Sequence, residues 1–176
     1  MKTQIPLTRD LLLIGGGHAH ALVLRLWGMN PLPGVRVTVI NPGPTAPYSG
    51  MLPGHVAGHY TRDELDIDLV RVARFASARL IDGAVDGIDL DAKTVSVPGR
   101  DPIPWDVASI DIGIHSEMPD LPGFTDHAIG AKPLDRFARE WRAYREAANA
   151  GEIAKDIAII GGGIAGVELS MAMAHA

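Results

Sequence analysis

One local pattern occurs twice in this chain of 176 residues: a short apolar run, a cluster of glycines and a helical segment follow one another. The first copy runs from Leu11 to Trp27, and the second begins at Ile157. A continuous apolar run is typical of a strand buried on both faces of a parallel sheet, and the glycines after it require a tight turn. The repeat therefore predicts two strand–turn–helix units of the Rossmann type.

The second copy contains a complete G-x-G-x-x-G fingerprint. Its first glycine permits the turn, its second lets the backbone approach a pyrophosphate, and its third lets the helix pack closely on the strand. The N-terminus of the helix then faces the negative charge. A glycine-rich turn without a ligand is the alternative, and the flanking strand and helix patterns favour a dinucleotide site. The expected contacts are Gly161, Gly163, Ala165 and Gly166.

The first copy departs from the fingerprint at two points. His20 stands where the third glycine is expected, and Asn41 stands where an acid usually ends the second strand and binds the ribose hydroxyls. An asparagine side chain can both donate to and accept from hydroxyls, so ribose binding is preserved in principle. The expected dinucleotide contacts here are Gly15, Gly17, His18, Ala19 and Asn41, with His18 and His20 serving as turn and helix-start residues rather than metal ligands.

The segment between the two copies predicts shorter elements. Residues 35–40 are a β-branched strand, and residues 41–59 are a long functional loop because Pro and Gly recur there without a period. A capping box from Thr61 to Glu64 predicts a helix of about three turns, in which apolar residues follow at helical spacing up to Ala76.

Further along, residues 78–81, 84–89 and 94–97 predict short strands of a small antiparallel insert, and residues 107–112 predict a further strand closed by Gly113. A helix starts at Pro133 and stops at Gly151, and its apolar stripe consists of Leu134, Phe137, Trp141, Tyr144 and Ala148. The arginines interleaved with glutamates on this helix form a solvated face or, alternatively, a patch for an anionic ligand.

These elements predict an α/β chain with a Rossmann-like dinucleotide-binding fold, in which a parallel sheet is joined by a small antiparallel β insert. We expect one dinucleotide unit within residues 1–150 and the start of a second within residues 151–176.

Composition excludes several classes of function. The net charge of −5 makes nucleic acid a poor partner, and no apolar run reaches the ~18 residues that span a bilayer. We therefore expect a cytoplasmic protein without a transmembrane segment, while peripheral membrane contact and a homo-oligomer stay open. The absence of cysteine excludes disulfide, thiolate and Cys–zinc chemistry from these residues. His55 and His59 could bind a metal at i, i+4, but we expect surface or flavin-loop histidines and no metal site.

The order of these motifs resembles the N-terminal part of the FAD-dependent pyridine nucleotide-disulfide reductase superfamily, in which an FAD-type motif precedes an NAD(P)H-type motif. Residues 161–168 resemble the nicotinamide motif of type II NADH dehydrogenases. The resemblance covers essentially the whole chain and implies a Rossmann-like FAD/NAD(P)-binding fold. By it, residues 1–150 are the incomplete N-terminal part of an FAD-binding domain, and residues 151–176 are the truncated start of an NAD(P)H-binding Rossmann domain. The segments that resemble the type II NADH dehydrogenase-like branch, which also occurs joined to selenide, water dikinase, are residues 15–20, 47–54, 109–113 and 132–137.

The resemblance implies further cofactor contacts. The loop of residues 48–54 is expected against the flavin, where disulfide reductases carry paired cysteines, and Ser49, Gly50 and Met51 are its contacts. Val85 matches a position that touches the adenine through the backbone. Gly113 ends a segment that is usually Ala-Thr-Gly and is Asp-Ile-Gly here, and Glu168 matches a glutamate usual in the nicotinamide motif.

By the same resemblance, the protein is a flavoprotein oxidoreductase that passes electrons from NAD(P)H through FAD to a non-disulfide small-molecule acceptor such as a quinone. The cofactor supplies the chemistry, so no catalytic acid or base is assigned. One alternative is an FAD-binding redox-sensing or regulatory module linked to selenophosphate metabolism.

Another alternative is an inactive truncated fragment, because the second copy has fewer than the ~30 residues of a βαβ unit. The segment after Gly163 is then expected to be mobile or docked against another chain. Its exposed apolar face would consist of Ile164, Val167, Leu169, Met171 and Met173.

Overall fold

The structure is a computed structural model that describes residues 6–114 and 120–176. The strands are β1 (Arg9–Ile14), β2 (Val35–Asn41), β3 (Thr45–Pro47), β4 (Asp66–Asp68), β5 (Arg79–Asp82), β6 (Gly87–Asp89), β7 (Thr94–Ser96), β8 (Ile103–Pro104) and β9 (Val107–Ile110). The helices are α1 (His18–Met29), α2 (Leu52–Val56), α3 (Leu69–Phe75), α4 (Phe124–His127), α5 (Leu134–Asn149) and α6 (Ile164–His175).

Tertiary contacts divide the chain into two compact units. Unit 1 consists of Met1–Pro47 and Asp66–Gly113, and unit 2 consists of Tyr48–Leu65 and Ile114–Ala176. The expected boundary at residue 150 separates two cofactor-binding domains, which is a different division from one based on tertiary contacts. That boundary stays a prediction.

Unit 1 is built on a parallel sheet with the strand order β5-β2-β1-β9. Its strands bury apolar side chains on both faces, Leu12 and Ile40 on one and Leu13 and Val39 on the other, which explains the continuous apolar runs. The helix α1 follows β1 through Gly15 and Gly17. The α/β fold with a parallel sheet is therefore confirmed, and so is the place of the first glycine turn at the carboxyl end of the first strand.

A three-stranded antiparallel sheet, β6-β7-β8, confirms the small insert. The strand at residues 78–81, however, is wrongly assigned to it, because β5 pairs in parallel with β2 and buries Ile81 in the core of the main sheet. Four-residue strands look alike in both settings, and only the non-local pairing decides between them.

Residues 41–59 are not an irregular loop as predicted. β3 pairs with β4, a 3-10 turn covers Ser49–Met51, and α2 follows. Pro53 fits the first turn of α2, and Leu52 and Val56 are buried. The segment is too short to display the period of a helix.

The predicted helix over residues 61–76 begins later than expected. The backbone N–H and the hydroxyl of Thr61 both donate to Glu64, at 2.7 and 2.9 Å, but this capping box precedes only a 3-10 turn at Asp63–Leu65. Residues 66–68 pair with β3 as β4, and α3 then starts with Asp68 as its N-cap. Strand pairing therefore interrupts the pattern that the sequence presents as one helix.

The core of unit 2 confirms the apolar stripe of α5. Leu134, Phe137 and Trp141 pack with Leu52, Val56 and Leu65, and Tyr144 lies at the edge of this cluster. On α6, Leu169 and Met173 join the cluster, while Ile164, Val167 and Met171 are exposed. The apolar face of α6 is thus only partly uncovered, which corrects the prediction that all five side chains are exposed.

The length and composition of the helices show whether any of them could cross a membrane. Within residues 6–114 and 120–176, no helix combines the length and the apolar composition that crossing a bilayer requires.

Candidate dinucleotide-binding site

The first glycine turn is held by the strands on both sides of β1. Gly15 has a φ of +88°, in the left-handed region that favours glycine, and its N–H donates to the carbonyl of Ile40 at 2.8 Å. A Cβ atom at Gly15 would lie 2.2 Å from the carbonyl oxygen of Asp111. Glycine is therefore required here by the fold itself.

Gly17 is the N-cap of α1 and has an extended conformation that any residue adopts, with φ −59° and ψ 175°. As a glycine it has no side chain that could cap the helix. The first-turn amides of α1, from His18 and Ala19 onward, lie beyond the carboxyl end of β1, where a helix N-terminus favours an anion. This arrangement has the geometry of a pyrophosphate cradle.

The carboxylate of Asp111 occupies part of the space at this helix start. One of its oxygens accepts the backbone N–H of His20 at 3.0 Å, and its atoms lie 2.5 Å from where a Cβ on Gly17 would stand. The backbone carbonyl of Asp111 also accepts the N–H of Gly17 at 3.3 Å. The sequence placed residues 111–113 near the cofactor but did not reveal this charge at the helix start, because Asp111 and His20 are 91 positions apart in the chain.

Asn41 ends β2 and is buried, with 7% of its surface exposed. Its Oδ1 accepts the N–H of Gly16 at 2.9 Å, and its Nδ2 donates to the carbonyls of Pro42, Gly43 and Thr45. The side chain therefore fastens the glycine turn and the following loop. Contact between Asn41 and a ribose stays a prediction. Oδ1 has a second lone pair that could accept a ribose hydroxyl, whereas the two hydrogens of Nδ2 are already donated to backbone carbonyls.

His20 has a role that the fingerprint does not suggest. Its imidazole is 2% exposed, with Nδ1 at 2.7 Å from the carbonyl oxygen of Gly15 and Nε2 at 2.9 Å from the hydroxyl of Ser109 on β9. The only sequence signal for this contact is the replacement of the third glycine, and the partner on β9 is 89 positions away.

Two other expected contacts, Val85 and Gly113, also belong to unit 1. Val85 is half-buried against the core cluster that contains Leu12 and Ile14. Gly113 is exposed and has open space where a Cβ would be, while the side chain of Ile112 lies beside Gly15. The contacts of Val85 and Gly113 with a cofactor stay predictions.

In unit 2, the expected flavin-loop residues form a 3-10 turn, Ser49–Met51, that leads into α2. Ser49 and Gly50 are exposed and Met51 is half-buried. The ring of Tyr48 lies over Gly50, where a Cβ would be 2.7 Å from Cζ. Contact between this turn and the flavin stays a prediction.

The second glycine turn has the local geometry of the fingerprint without the expected strand. Gly161 has a φ of +117°, Gly163 is the N-cap of α6, and a Cβ at Gly166 would lie 2.1 Å from the carbonyl oxygen of Gly161. Ala165 and Glu168 are exposed. Residues 157–160 pair with no strand in the described part of the chain and are exposed, so the predicted strand there is wrong. A β-strand requires a hydrogen-bonded neighbour, which an apolar run alone does not provide.

Three histidines of unit 2 lie close to neighbouring groups. His55 Nδ1 lies 2.9 Å from the carbonyl oxygen of Tyr60, and the rings of His59 and His175 lie 5.4 Å apart. Within residues 6–114 and 120–176, no three His, Cys, Asp or Glu side chains cluster as metal ligands would. A cavity of about 310 Å³ beside α5 is lined in part by His55, Arg142 and Arg145.

Comparisons with known proteins bear on the whole chain. A family model described as "Pyridine nucleotide-disulphide oxidoreductase" matches residues 9–176. The "NADH dehydrogenase-like protein YutJ" of Bacillus subtilis (strain 168) is 29% identical over 167 residues, which cover 92% of this chain and 44% of that protein. The chain therefore spans less than half the length of the curated relative it matches.

The solved structures with the same fold are also of chains longer than this one. The reduced Bacillus anthracis CoADR-RHD aligns with a TM-score of 0.75 at 18% identity, over 96% of this chain and 31% of that one. NDH2 from Plasmodium falciparum in complex with NADH aligns with a TM-score of 0.71 at 17% identity, over 94% and 37%. At these identities the likeness establishes the fold, which is that of FAD/NAD-binding reductases.

Proposed function

Because the chain belongs to the pyridine nucleotide-disulphide oxidoreductase family, we propose that it binds FAD at the first glycine turn and acts in electron transfer from NAD(P)H through FAD to a non-disulfide acceptor. Enzymes of this family are FAD-dependent and use NAD(P)H. Bound FAD would supply the chemistry, by accepting a hydride from the nicotinamide and passing the electrons on. The protein's part is to hold and orient the dinucleotide.

The observation that carries the proposal is the fit of the first turn to a pyrophosphate. Gly15, Asn41 and the end of β9 fix the turn, and Gly17 leaves the start of α1 without a Cβ. The backbone amides of His18 and Ala19 would face the phosphates, as helix N-termini do in dinucleotide-binding folds. Asp111 opposes this fit, because its carboxylate adds a negative charge beside the expected position of the phosphates.

The same proposal extends to the second cofactor and to the flavin. The turn with Gly161, Gly163 and Gly166 would hold the pyrophosphate of NAD(P)H, with Ala165 and Glu168 in the first turn of α6. We propose that the Ser49–Met51 turn contacts the flavin and that Val85 contacts the adenine through its backbone. Gly113, which follows β9, would be a further contact of FAD. Residues 1–150 would then serve FAD, and residues 151–176 would serve the nicotinamide.

The acceptor is proposed from the absence of cysteine. Reduction of a disulfide by thiol–disulfide exchange requires a protein thiolate that attacks one of its sulfurs, and residues 1–176 contain no cysteine. A quinone or another small oxidant that takes electrons directly from reduced flavin needs no such thiolate. We therefore propose a small non-disulfide acceptor.

A crossed pair of glycine variants tests the two cofactor sites. Gly17→Val places side-chain atoms at the proposed FAD pyrophosphate site, and Gly163→Val does the same at the nicotinamide turn, where the backbone is extended and no atom lies within 4 Å of a Cβ. FAD retention should be lost in Gly17→Val and kept in Gly163→Val. Unchanged flavin content in Gly17→Val, with the variant folded by circular dichroism, would remove the proposed FAD site.

Electron transfer is tested on the flavin-loaded chain without oxygen. NADH or NADPH should bleach the flavin band faster than it bleaches free FAD, and a soluble quinone should restore the band whereas oxidised glutathione should not. Flavin that stays bound without bleaching faster than free FAD would favour a redox-sensing module instead. Restoration by the disulfide would contradict the proposed acceptor class.

A further inference from the structure

His20 is the third residue of α1 and the one member of the first fingerprint that is not glycine where glycine is expected. The carbonyl oxygen of Gly15 can only accept a hydrogen bond, so the Nδ1 of His20, 2.7 Å away, donates to it. In the neutral ring Nε2 is then the acceptor, and the hydroxyl of Ser109 donates to it at 2.9 Å. Both ring nitrogens of this buried side chain are therefore occupied by the turn and by β9.

The second turn of the same chain provides an internal comparison. Gly166 holds the motif position of His20, and Gly161 holds that of Gly15. A Cβ on Gly166 would lie 2.1 Å from the carbonyl oxygen of Gly161, so the helix there approaches this carbonyl directly. In the first turn the helix residue has a Cβ, and its imidazole contacts the equivalent carbonyl instead. The helix therefore contacts this carbonyl through its backbone in the second turn, and through a side-chain hydrogen bond to the equivalent carbonyl in the first turn.

The remaining groups of the first turn are fastened in the same manner. The N–H groups of Gly15, Gly16 and Gly17 donate to the carbonyl of Ile40, to Asn41 Oδ1 and to the carbonyl of Asp111. His20 is the link that ties the carbonyl side of the turn to β9. In addition, its own N–H donates to the carboxylate of Asp111.

We propose that His20 is a positioning residue for the dinucleotide: its imidazole holds the Gly15 carbonyl and thereby presets the orientation of the turn that leads into the first-turn amides of α1, which would meet the pyrophosphate. The proposal rests on the proposed function, since FAD is the ligand whose binding it serves. A fixed turn binds its ligand more tightly because less ordering is left to occur on binding. Restoring the fingerprint with glycine should therefore weaken FAD binding rather than improve it.

The test compares four variants with the unaltered 176-residue chain. His20→Gly recreates the fingerprint, His20→Ala removes the ring, and His20→Asn keeps a donor near the position of Nδ1. Ser109→Ala leaves the ring in place but removes the partner of Nε2. The dissociation constant for FAD is measured by quenching of flavin fluorescence, and the unfolding midpoint in urea is measured on the same samples.

We expect His20→Gly and His20→Ala to weaken FAD binding by about tenfold or more, which corresponds to 1.4 kcal/mol. His20→Asn should stay within about threefold of the unaltered chain, and Ser109→Ala should fall between these limits. Rescue of affinity by asparagine is the readout that a merely structural role would not produce. His20→Gly that binds FAD as tightly as the unaltered chain would overturn the proposal, and so would equal losses in His20→Gly and His20→Asn.

A second measurement needs no cofactor and covers variants that fail to fold. The ¹⁵N shifts of the His20 ring in the unaltered chain should show a proton on Nδ1. A ring whose Nδ1 carries no proton would overturn the proposal, because the Gly15 carbonyl would then lack its donor. If the unaltered chain shows no saturable FAD binding, the proposed function fails and the proposal with it. Equal FAD affinity of the glycine variant and the unaltered chain removes the role of His20 alone.

Discussion

At the scale of single residues, the two fingerprint glycines of the first turn serve different ends. Gly15 is held in a left-handed conformation against a backbone carbonyl that cannot move without the strand. Gly17 has ordinary dihedral angles, and the nearest atoms to its absent side chain are those of a carboxylate that can rotate away. Gly15 is therefore required by the fold, whereas we propose that Gly17 is needed chiefly for the ligand.

This difference predicts opposite outcomes for two alanine variants. Gly15→Ala should lower the free energy of unfolding by about 1–3 kcal/mol, because the alanine is forced into a strained conformation and a clash. Gly17→Ala should cost less than about 1 kcal/mol in stability yet weaken FAD binding. Urea denaturation and flavin titration of both variants check the prediction, which is contradicted if Gly17→Ala is the less stable of the two.

The carboxylate at the start of α1 predicts a gain of function. Asp111→Asn keeps an oxygen that can accept the N–H of His20 but removes the charge beside the proposed pyrophosphate. Two unit charges about 4 Å apart repel by roughly 1 kcal/mol in water, so FAD affinity should rise by roughly five- to tenfold at low salt. The gain should shrink at high salt as the charges are screened. Fluorescence titration at both salt concentrations tests this, and a loss of affinity would show that Asp111 binds the cofactor instead.

Glu64 predicts a pH dependence of stability. The N–H of Thr61, and then its hydroxyl, lower the pKa of Glu64 from its ordinary value of 4.5 by hydrogen-bonding to the carboxylate. A lowered pKa in the folded state means that this contribution to stability is present above about pH 4.5 and is lost as the pH falls through the lowered value.

The difference in urea midpoint between the unaltered chain and Glu64→Gln should therefore be constant near neutrality and should shrink on acidification. Glu140→Gln, at an exposed position on α5, is the matched control. A difference that grows as the pH falls would have the wrong sign for this interaction.

At the scale of elements, local patterns predict the long elements, and non-local pairing decides the short ones. β1, α1, β2 and α5 each follow from apolar period and glycine breaks, because those signals lie within one element. The membership of β5 in the main sheet depends on β2, and the late start of α3 depends on β3. The candidate site divides in the same way: its glycines were predictable, but the contacts of His20 with Ser109 and with Asp111 were not, because these partners lie 89 and 91 positions away from it.

The start of α3 is open to a direct test. Asp68 accepts the N–H of Arg71 at 2.9 Å as the helix N-cap. Asp68→Ala should therefore cost about 1 kcal/mol in the free energy of unfolding, and Asp68→Asn should cost little. Thr61→Ala, which removes one bond of a box that caps only a 3-10 turn, should cost less than Asp68→Ala. The reverse order would mean that the helix starts at residue 61, as the sequence pattern suggests.

At the scale of the whole molecule, the two glycine turns differ in their support. The first turn leaves the carboxyl end of β1, which has a hydrogen-bonded strand on each side. The second follows residues 157–160, which are exposed and have no strand partner in the described part of the chain, although Gly161 and Gly166 have the local geometry of the fingerprint. A turn that orients amides toward a ligand needs a fixed base. The chain should therefore bind its two cofactors unequally.

The last prediction concerns this asymmetry. The 176-residue chain should bind FAD saturably, and NADH should bleach the bound flavin faster than free FAD but more slowly than about 1 s⁻¹, the lower end of ordinary enzyme turnover. The physical reason is that a weakly supported nicotinamide turn rarely places the hydride donor within reaction distance of the flavin. Stopped-flow mixing with NADH under anaerobic conditions measures the rate, and reduction by dithionite is the control that the bound flavin can be reduced. Bleaching within milliseconds would show that the second turn holds the nicotinamide in place although residues 157–160 have no strand partner in the described part of the chain.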